Sequence, residues 1–193
     1  MTIQVLPVTR ERWVDLVDLF ERPGPRGRSP VTSGCWCMYW RLRRPEFSRN
    51  WGTGETRGIL NRAGLQEIIA EGREPGLLAY AGGQAVGWCS IAPREQFVRL
   101  ELSRPLKRVD DQPVWSVVCF YVDSRYKRRG VATALLAGAV DYARTAGALC
   151  VEAYASRVDD DDPYTGFETM FSAAGFARVR EGGRRSVWRL GCA

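Results

Sequence analysis

The stretch from Val117 to Leu136, VVCFYVDSRYKRRGVATALL, constrains this chain more than any other. Val117 to Val122 are consecutive residues of strand character, closed by the turn pair Asp123-Ser124. A basic run, Arg125-Tyr126-Lys127-Arg128-Arg129, then leads through Gly130 into a helical apolar pattern. The first N–H groups of a helix have no internal acceptors and stand at the positive end of the backbone dipoles. A phosphate satisfies them, and Gly130 lets the backbone come close because no Cβ intervenes. Flanking arginines add charge-assisted hydrogen bonds. These residues predict an anion site, suited to a diphosphate.

The helix is expected from about Arg129 to Ala146. Val131, Leu135, Ala139 and Tyr142 form one apolar row, which Leu136, Val140 and Ala143 widen into a core-facing stripe. Gly147 is a natural stop, and Leu149 to Ala155 reads as a returning strand. With Val114 to Val122 it predicts a parallel pair joined by a crossover helix. Ligands of such sheets bind beyond the carboxyl ends of the strands, where the basic turn lies.

The flanking segments fill in the sheet. Ile3 to Val8 reads as a first strand, and Trp13, Leu16, Val17 and Phe20 as a helix. Arg22 to Pro30 is punctuated by Pro and Gly into a loop, and Trp51 to Ala70 reads as one or two helices. Leu77–Ala81 and Ala85–Ala92 form a hairpin about Gly82-Gly83-Gln84. A helix from Pro163 to Ala174 ends at Gly175, and a last strand pair covers Phe176–Arg180 and Ser186–Leu190. The acidic run Asp159 to Asp162 suits a solvated helix start with Asp162 as cap, or a patch that attracts an amine.

The stretch VDSRYKRRGVATALL resembles the acyl-CoA signature of the GCN5-related N-acetyltransferases (GNAT family). Val122 matches its leading valine, Gly130 its central glycine and Ala132 its final small residue, while Lys127 stands where Gln or Arg is usual. Downstream, Tyr164-Thr-Gly-Phe167-Glu-Thr-Met-Phe171-Ser-Ala-Ala-Gly175-Phe176 resembles the family's distal pattern. Tyr164 replaces the usual Asn, Phe167 a small residue, and Phe171 the tyrosine that protonates the departing thiolate in many members. The resemblance implies an α/β (α+β) fold: a mixed, mostly antiparallel sheet with one splayed parallel pair and helices on both faces. It implies a single domain over 1–193, in which 1–75 shapes the acceptor pocket and 76–193 is the acyl-CoA-binding core. Pantetheine would lie along the main chain of Phe120, Tyr121 and Val122. The diphosphate would rest on the segment Lys127, Arg128, Arg129, Gly130, Val131, Ala132 and Thr133, with Phe167 and Phe171 beside the cofactor.

Composition narrows the chemistry. The chain of 193 residues is 45% apolar, enough for one ordinary core, and no apolar run is long enough to span a membrane. The N-terminus lacks the pattern of a secretory signal, and six scattered cysteines suit a reduced, cytoplasmic setting. The formal charge of +6 is carried almost wholly by arginine and fits an anionic cofactor. No nucleic-acid module is found, and neither nucleic acid nor membrane is expected as a partner. The sequence leaves the oligomeric state open, a homodimer included.

Histidine is absent, which excludes Ser-His and Cys-His pairs, His-metal sites and an imidazole base. Cys35-x-Cys37 has no second pair to complete a metal site, and none is expected. Glu152, inside a strand beside the expected cleft, is the candidate base, with pairing to an arginine as the alternative. With Phe171 lacking a proton, Tyr164 or water is the candidate acid, or the step needs no dedicated acid. Trp36, Tyr39 and Trp40 share one face if their segment is helical, and form either core or an aromatic wall for the acceptor. The expected function is transfer of acetyl from acetyl-CoA to a small-molecule or peptide amine by direct attack in a ternary complex. A non-catalytic acyl-CoA sensor is the alternative.

Overall fold

The computed structural model describes residues 1–24, 32–156 and 163–192. Seven strands among them form one sheet: β1 (Gln4–Pro7), β2 (Gly76–Ala81), β3 (Gln84–Pro93), β4 (Trp115–Val122), β5 (Cys150–Ser156), β6 (Ala177–Arg180) and β7 (Arg185–Gly191). The order across the sheet is β1-β2-β3-β4-β5-β7-β6, and β4–β5 is the parallel pair in an otherwise antiparallel ladder. The helices are α1 (Trp13–Glu21), α2 (Thr32–Cys35), α3 (Arg44–Trp51), α4 (Ile59–Ala70), α5 (Val98–Leu102), α6 (Val131–Thr145) and α7 (Glu168–Ala173). None is long and apolar enough to cross a membrane.

Period-two alternation assigns the strand side chains to two cores. On β2, Leu77, Ala79 and Ala81 face α6, whose Val131, Leu135, Leu136 and Ala139 complete that cluster. Leu78 points the other way, to Leu16, Leu19 and Phe20 of α1 and Leu65 and Ile69 of α4. Gly87 on β3 lets α6 lie close: a Cβ there would stand 2.7 Å from Val131 Cγ1 and 3.1 Å from Leu135 Cδ1. The β2–β3 turn has Gly82 and Gly83 at φ 57° and 78°, both left-handed, as a tight two-residue hairpin turn requires.

Two expectations change and a third is narrowed. The aromatic segment after Gly34 is not one helix. Helix α2 stops at Cys35, and Trp36 and Cys37 turn left-handed at φ 45° and 51°. Trp51 to Ala70 resolves into the end of α3, a short turn and α4. The helix expected from Pro163 breaks at Gly166 (φ 81°), leaving a 3₁₀ turn over Pro163–Thr165 and a short α7. Tyr164 and Phe171 therefore belong to separate elements. The acidic run Asp159–Asp162 and most of the Pro/Gly-rich loop before Thr32 lie outside the described residues.

Candidate active site

Strands β4 and β5 pair only through Trp115↔Val151, Ser116↔Glu152 and Val117↔Ala153. Beyond Val117 the β4 backbone continues to Val122 without a β5 partner, so the two strands part. A bulge marks the divergence: between Ser90 and Ile91 of β3 the β4 partner jumps from Cys119 to Val117, leaving Val118 extra. A bulge bends and twists its strand. The opening exposes an edge of main-chain groups that the sheet itself does not use.

A groove of about 330 Å³ lies against that edge, between Phe120, Tyr121 and Val122, the start of α6, and Tyr164 and Phe167. Arg128 and Gly130 are left-handed, at φ 58° and 79°, and swing the chain from the 3₁₀ turn Ser124–Tyr126 into α6. The Ala134 N–H donates back to the Gly130 carbonyl at 2.9 Å, so the amides of Val131, Ala132 and Thr133 precede the first N–H that has an intrahelical acceptor. A Cβ on Gly130 would meet nothing within 4 Å, so glycine serves the backbone angle there and leaves the approach open.

The turn is braced from behind. Asp123 accepts hydrogen bonds from the Arg125 backbone N–H (3.0 Å), Arg125 Nε (3.0 Å) and Nη2 (2.6 Å), and Arg22 Nη1 (2.9 Å). Chiefly through Arg125, these hold its carboxyl far below the usual carboxylate range. Arg125 is thereby committed to Asp123, while Lys127 and Arg128 line the groove. Arg129 stacks over Tyr126, 5.9 Å from its centroid. Of the residues expected to hold the cofactor, Phe120, Tyr121, Val122, Lys127, Arg128, Gly130, Val131, Ala132 and Phe167 line the groove. Arg129 and Thr133 stand outside its lining, and Phe171 is fully buried between Phe120 and Phe176.

A second cavity, of about 290 Å³, opens on the other side of Tyr121 and Tyr164, which line both spaces. Its walls include Tyr39, Trp40, Phe47 and Trp51, with Cys35, Cys37 and Cys119. Trp36, by contrast, is 1% exposed and packs on Trp13 and Phe20, because the left-handed turn sends it into the α1 core. Burial and neighbouring Cys37 push the Cys35 thiol up to about 12. A hydrogen bond with Cys37, followed by burial, raises Cys119. Burial, then Asp123, raises the Tyr121 phenol. At neutral pH these groups carry protons.

Glu152 lies in neither cavity. Its Oε1 accepts from Arg94 Nη1 (2.7 Å) and the Tyr154 hydroxyl (2.6 Å), and its Oε2 from Arg189 Nε (2.8 Å). Both oxygens of a fully buried carboxylate are thus occupied by partners on β5, β7 and the segment after β3. This is the arginine-paired arrangement, and it leaves no oxygen directed at an acceptor.

Sequence reasoning missed several wall residues. Phe47 and Trp51 are one helical turn apart on α3, a spacing that hinted at a shared face. Cys119 shares a β4 face with Tyr121 by simple alternation. Tyr126 lines the groove from inside the basic run. Thr32 and Thr165 carried no signal.

The sequence model described as the Acetyltransferase (GNAT) family matches residues 36–165. A search of curated protein sequences returns no significant match. Solved structures agree on the fold. A Corynebacterium glutamicum protein described as histone acetyltransferase HPA2 and related acetyltransferase is 16% identical, with 100% of this chain and 98% of that one covered and a TM-score of 0.60. The PaiA N-acetyltransferase of Thermoplasma acidophilum, in complex with coenzyme A, is 15% identical, with 99% of each chain covered and a TM-score of 0.52. YncA of Salmonella typhimurium, with its cofactor acetyl-CoA, is 13% identical, covering 100% and 95% at a TM-score of 0.51. The parted strands, the helix-start cradle and a match over most of its length together make this chain a member of the GNAT acetyltransferase family.

Proposed function

We propose that this chain transfers an acetyl group from acetyl-CoA to an amine, both bound at once. The observation that carries the reading is that the groove beside α6 and the aromatic cavity meet at Tyr121 and Tyr164, over the unpaired edge of β4. Two separately lined spaces sharing one wall suit a direct transfer between two substrates. Acetyl-CoA supplies an activated acyl thioester. The amides that open α6, with Lys127 and Arg128, suit its diphosphate, and the edge Phe120–Val122 suits the pantetheine arm. An N–H of that edge can donate to the carbonyl oxygen as negative charge develops there.

Tyr164 is the residue best placed to return a proton to the leaving sulfur, since it borders both spaces. Buried Phe171 has neither the proton nor the access. Thiol release from acetyl-CoA with a panel of amines tests the reading. Amine-dependent release with intersecting initial-rate lines is expected. Coenzyme A binding without release on any amine overturns it in favour of a sensor.

A further inference from the structure

The second cavity carries information about the acceptor. Six of its walls are aromatic: Tyr39, Trp40, Phe47, Trp51, Tyr121 and Tyr164. Among its described lining residues there is no carboxylate, and the chain has no histidine. Small-molecule pockets span roughly 300–1,000 Å³, so a cavity of about 290 Å³ suits a compact ligand.

Four of the six rings already carry a cation. Arg99 Cζ lies 3.9 Å from the Tyr39 centroid and 5.4 Å from that of Phe47. Arg57 stands 5.4 Å from Trp51 and Arg185 5.5 Å from Trp40. None of these guanidinium groups lines the cavity, so each stands behind its wall. Arg57 Nε and Arg99 Nη2 are buried without a hydrogen-bond partner, while Arg99 Nε donates to the Leu42 carbonyl at 3.2 Å. A ring that already attracts one cation offers less to a second, and positive charge behind the wall repels an ammonium ion. An aromatic box without such backing would favour the opposite ligand.

Resting on the acetyl-transfer reading above, we propose that the acceptor is a neutral aromatic amine of one or two rings. Its ring stacks among Tyr39, Trp40, Phe47 and Trp51, and its amino group points to the Tyr121–Tyr164 junction. Alkylammonium groups, lysine side chains included, are poor acceptors. The chemistry agrees with the walls. An alkylammonium must lose a proton before it can attack, and the described lining offers phenols and thiols that hold their own. A ring amine is already unprotonated at neutral pH because its lone pair is shared with the ring. In the step, its nitrogen bonds to the thioester carbonyl carbon and the C–S bond breaks, its electron pair leaving on sulfur. The nitrogen's surplus proton ends on that sulfur, giving the amide and the free thiol of coenzyme A.

The test combines binding and turnover. 4-Methoxyaniline is titrated calorimetrically into protein saturated with coenzyme A, and thiol release from acetyl-CoA is compared for 4-methoxyaniline, cadaverine and a lysine peptide at neutral pH. Saturable arylamine binding, at least tenfold higher kcat/KM than for either alkylamine, and a roughly tenfold weaker arylamine affinity in Tyr39→Ala and Trp51→Ala are expected. Unchanged coenzyme A affinity in both variants shows that they fold. Absence of arylamine binding to the coenzyme A complex overturns the proposal, as does arylamine binding without thiol release. Tenfold preference for cadaverine or the lysine peptide also overturns it, and leaves acetyl transfer standing. Failure of coenzyme A itself to bind removes the acetyl-transfer reading and this proposal together.

Discussion

Arg94 Nη1 lies 2.7 Å from Glu152 Oε1, and both side chains are essentially removed from solvent. The pair sits at the root of the opening between β4 and β5, since Glu152 is itself in the three-residue paired segment, opposite Ser116. Ser116 Oγ and the Tyr154 hydroxyl, 2.7 Å apart, and Arg189 extend the network across β4, β5 and β7. A satisfied polar network at that point fixes where the strands stay together and hence where they part.

Glu152→Gln puts a neutral amide beside Arg94 and Arg189, which keep Glu101 and Asp110 as carboxylate partners. Removing one partner of a buried ion pair costs about 3–5 kcal/mol, and these remaining partners place the variant at the low end, about 3 kcal/mol. Urea unfolding of the variant should show a loss of that order. The pH profile of kcat/KM should keep its shape at temperatures where the variant remains folded. A profile that loses one limb would restore Glu152 to the chemistry.

Gly87→Ala puts a Cβ 2.7 Å from Val131 Cγ1, in the first turn of α6. Overpacking of this kind costs about 1–3 kcal/mol. It should lower the thermal midpoint and weaken coenzyme A binding together, because the same turn presents the open amides. Pairing it with Val131→Ala should recover most of the lost stability.

The Asp123 carboxyl is held low in the folded chain by Arg125 and Arg22 and returns to about 3.9 when unfolded. A depressed carboxylate stabilises the fold fully above its unfolded value, and that stability fades as pH falls towards the folded value. Asp123→Asn should therefore be less stable than the parent near neutral pH by about 1–2 kcal/mol, exposed Arg125 counting for little of it. The difference should shrink as pH drops from about 4 to about 2 in paired denaturation curves.

Much of this was legible locally. The basic turn, the α6 stripe and the Gly82-Gly83 hairpin each depend on neighbours within a few residues, so pattern and turn chemistry suffice. The left-handed pair Trp36-Cys37 was not. Neither residue type prefers that region, and distant partners hold it there: Trp36 packs on Trp13 and Phe20, and the Trp88 indole N–H donates to Cys37 Sγ at 2.8 Å. The partners of Glu152 were hidden for another reason, Arg94 lying 58 positions away along the chain. Gly166 reads as a tolerable helix residue in sequence, yet a Cβ there would press on Met170 and Phe171.

Tyr164→Phe keeps the ring that borders both spaces and removes its hydroxyl. A lost general acid costs about 10²-fold in kcat. The KM for acetyl-CoA should change little, and thiol leaving groups of lower pKa should narrow the deficit. A variant with parental kcat would assign the proton to water.

On the proposed reading, the open amides of α6 and the flanking cations grip a diphosphate. Calorimetric titration of coenzyme A into the parent chain, Arg128→Glu and Arg44→Glu tests it most directly. A saturable one-site heat is expected for the parent. Affinity should fall about tenfold or more on charge reversal at Arg128, in the groove, and far less at exposed Arg44 on α3. No heat from the parent, or equal losses at the two arginines, would contradict it.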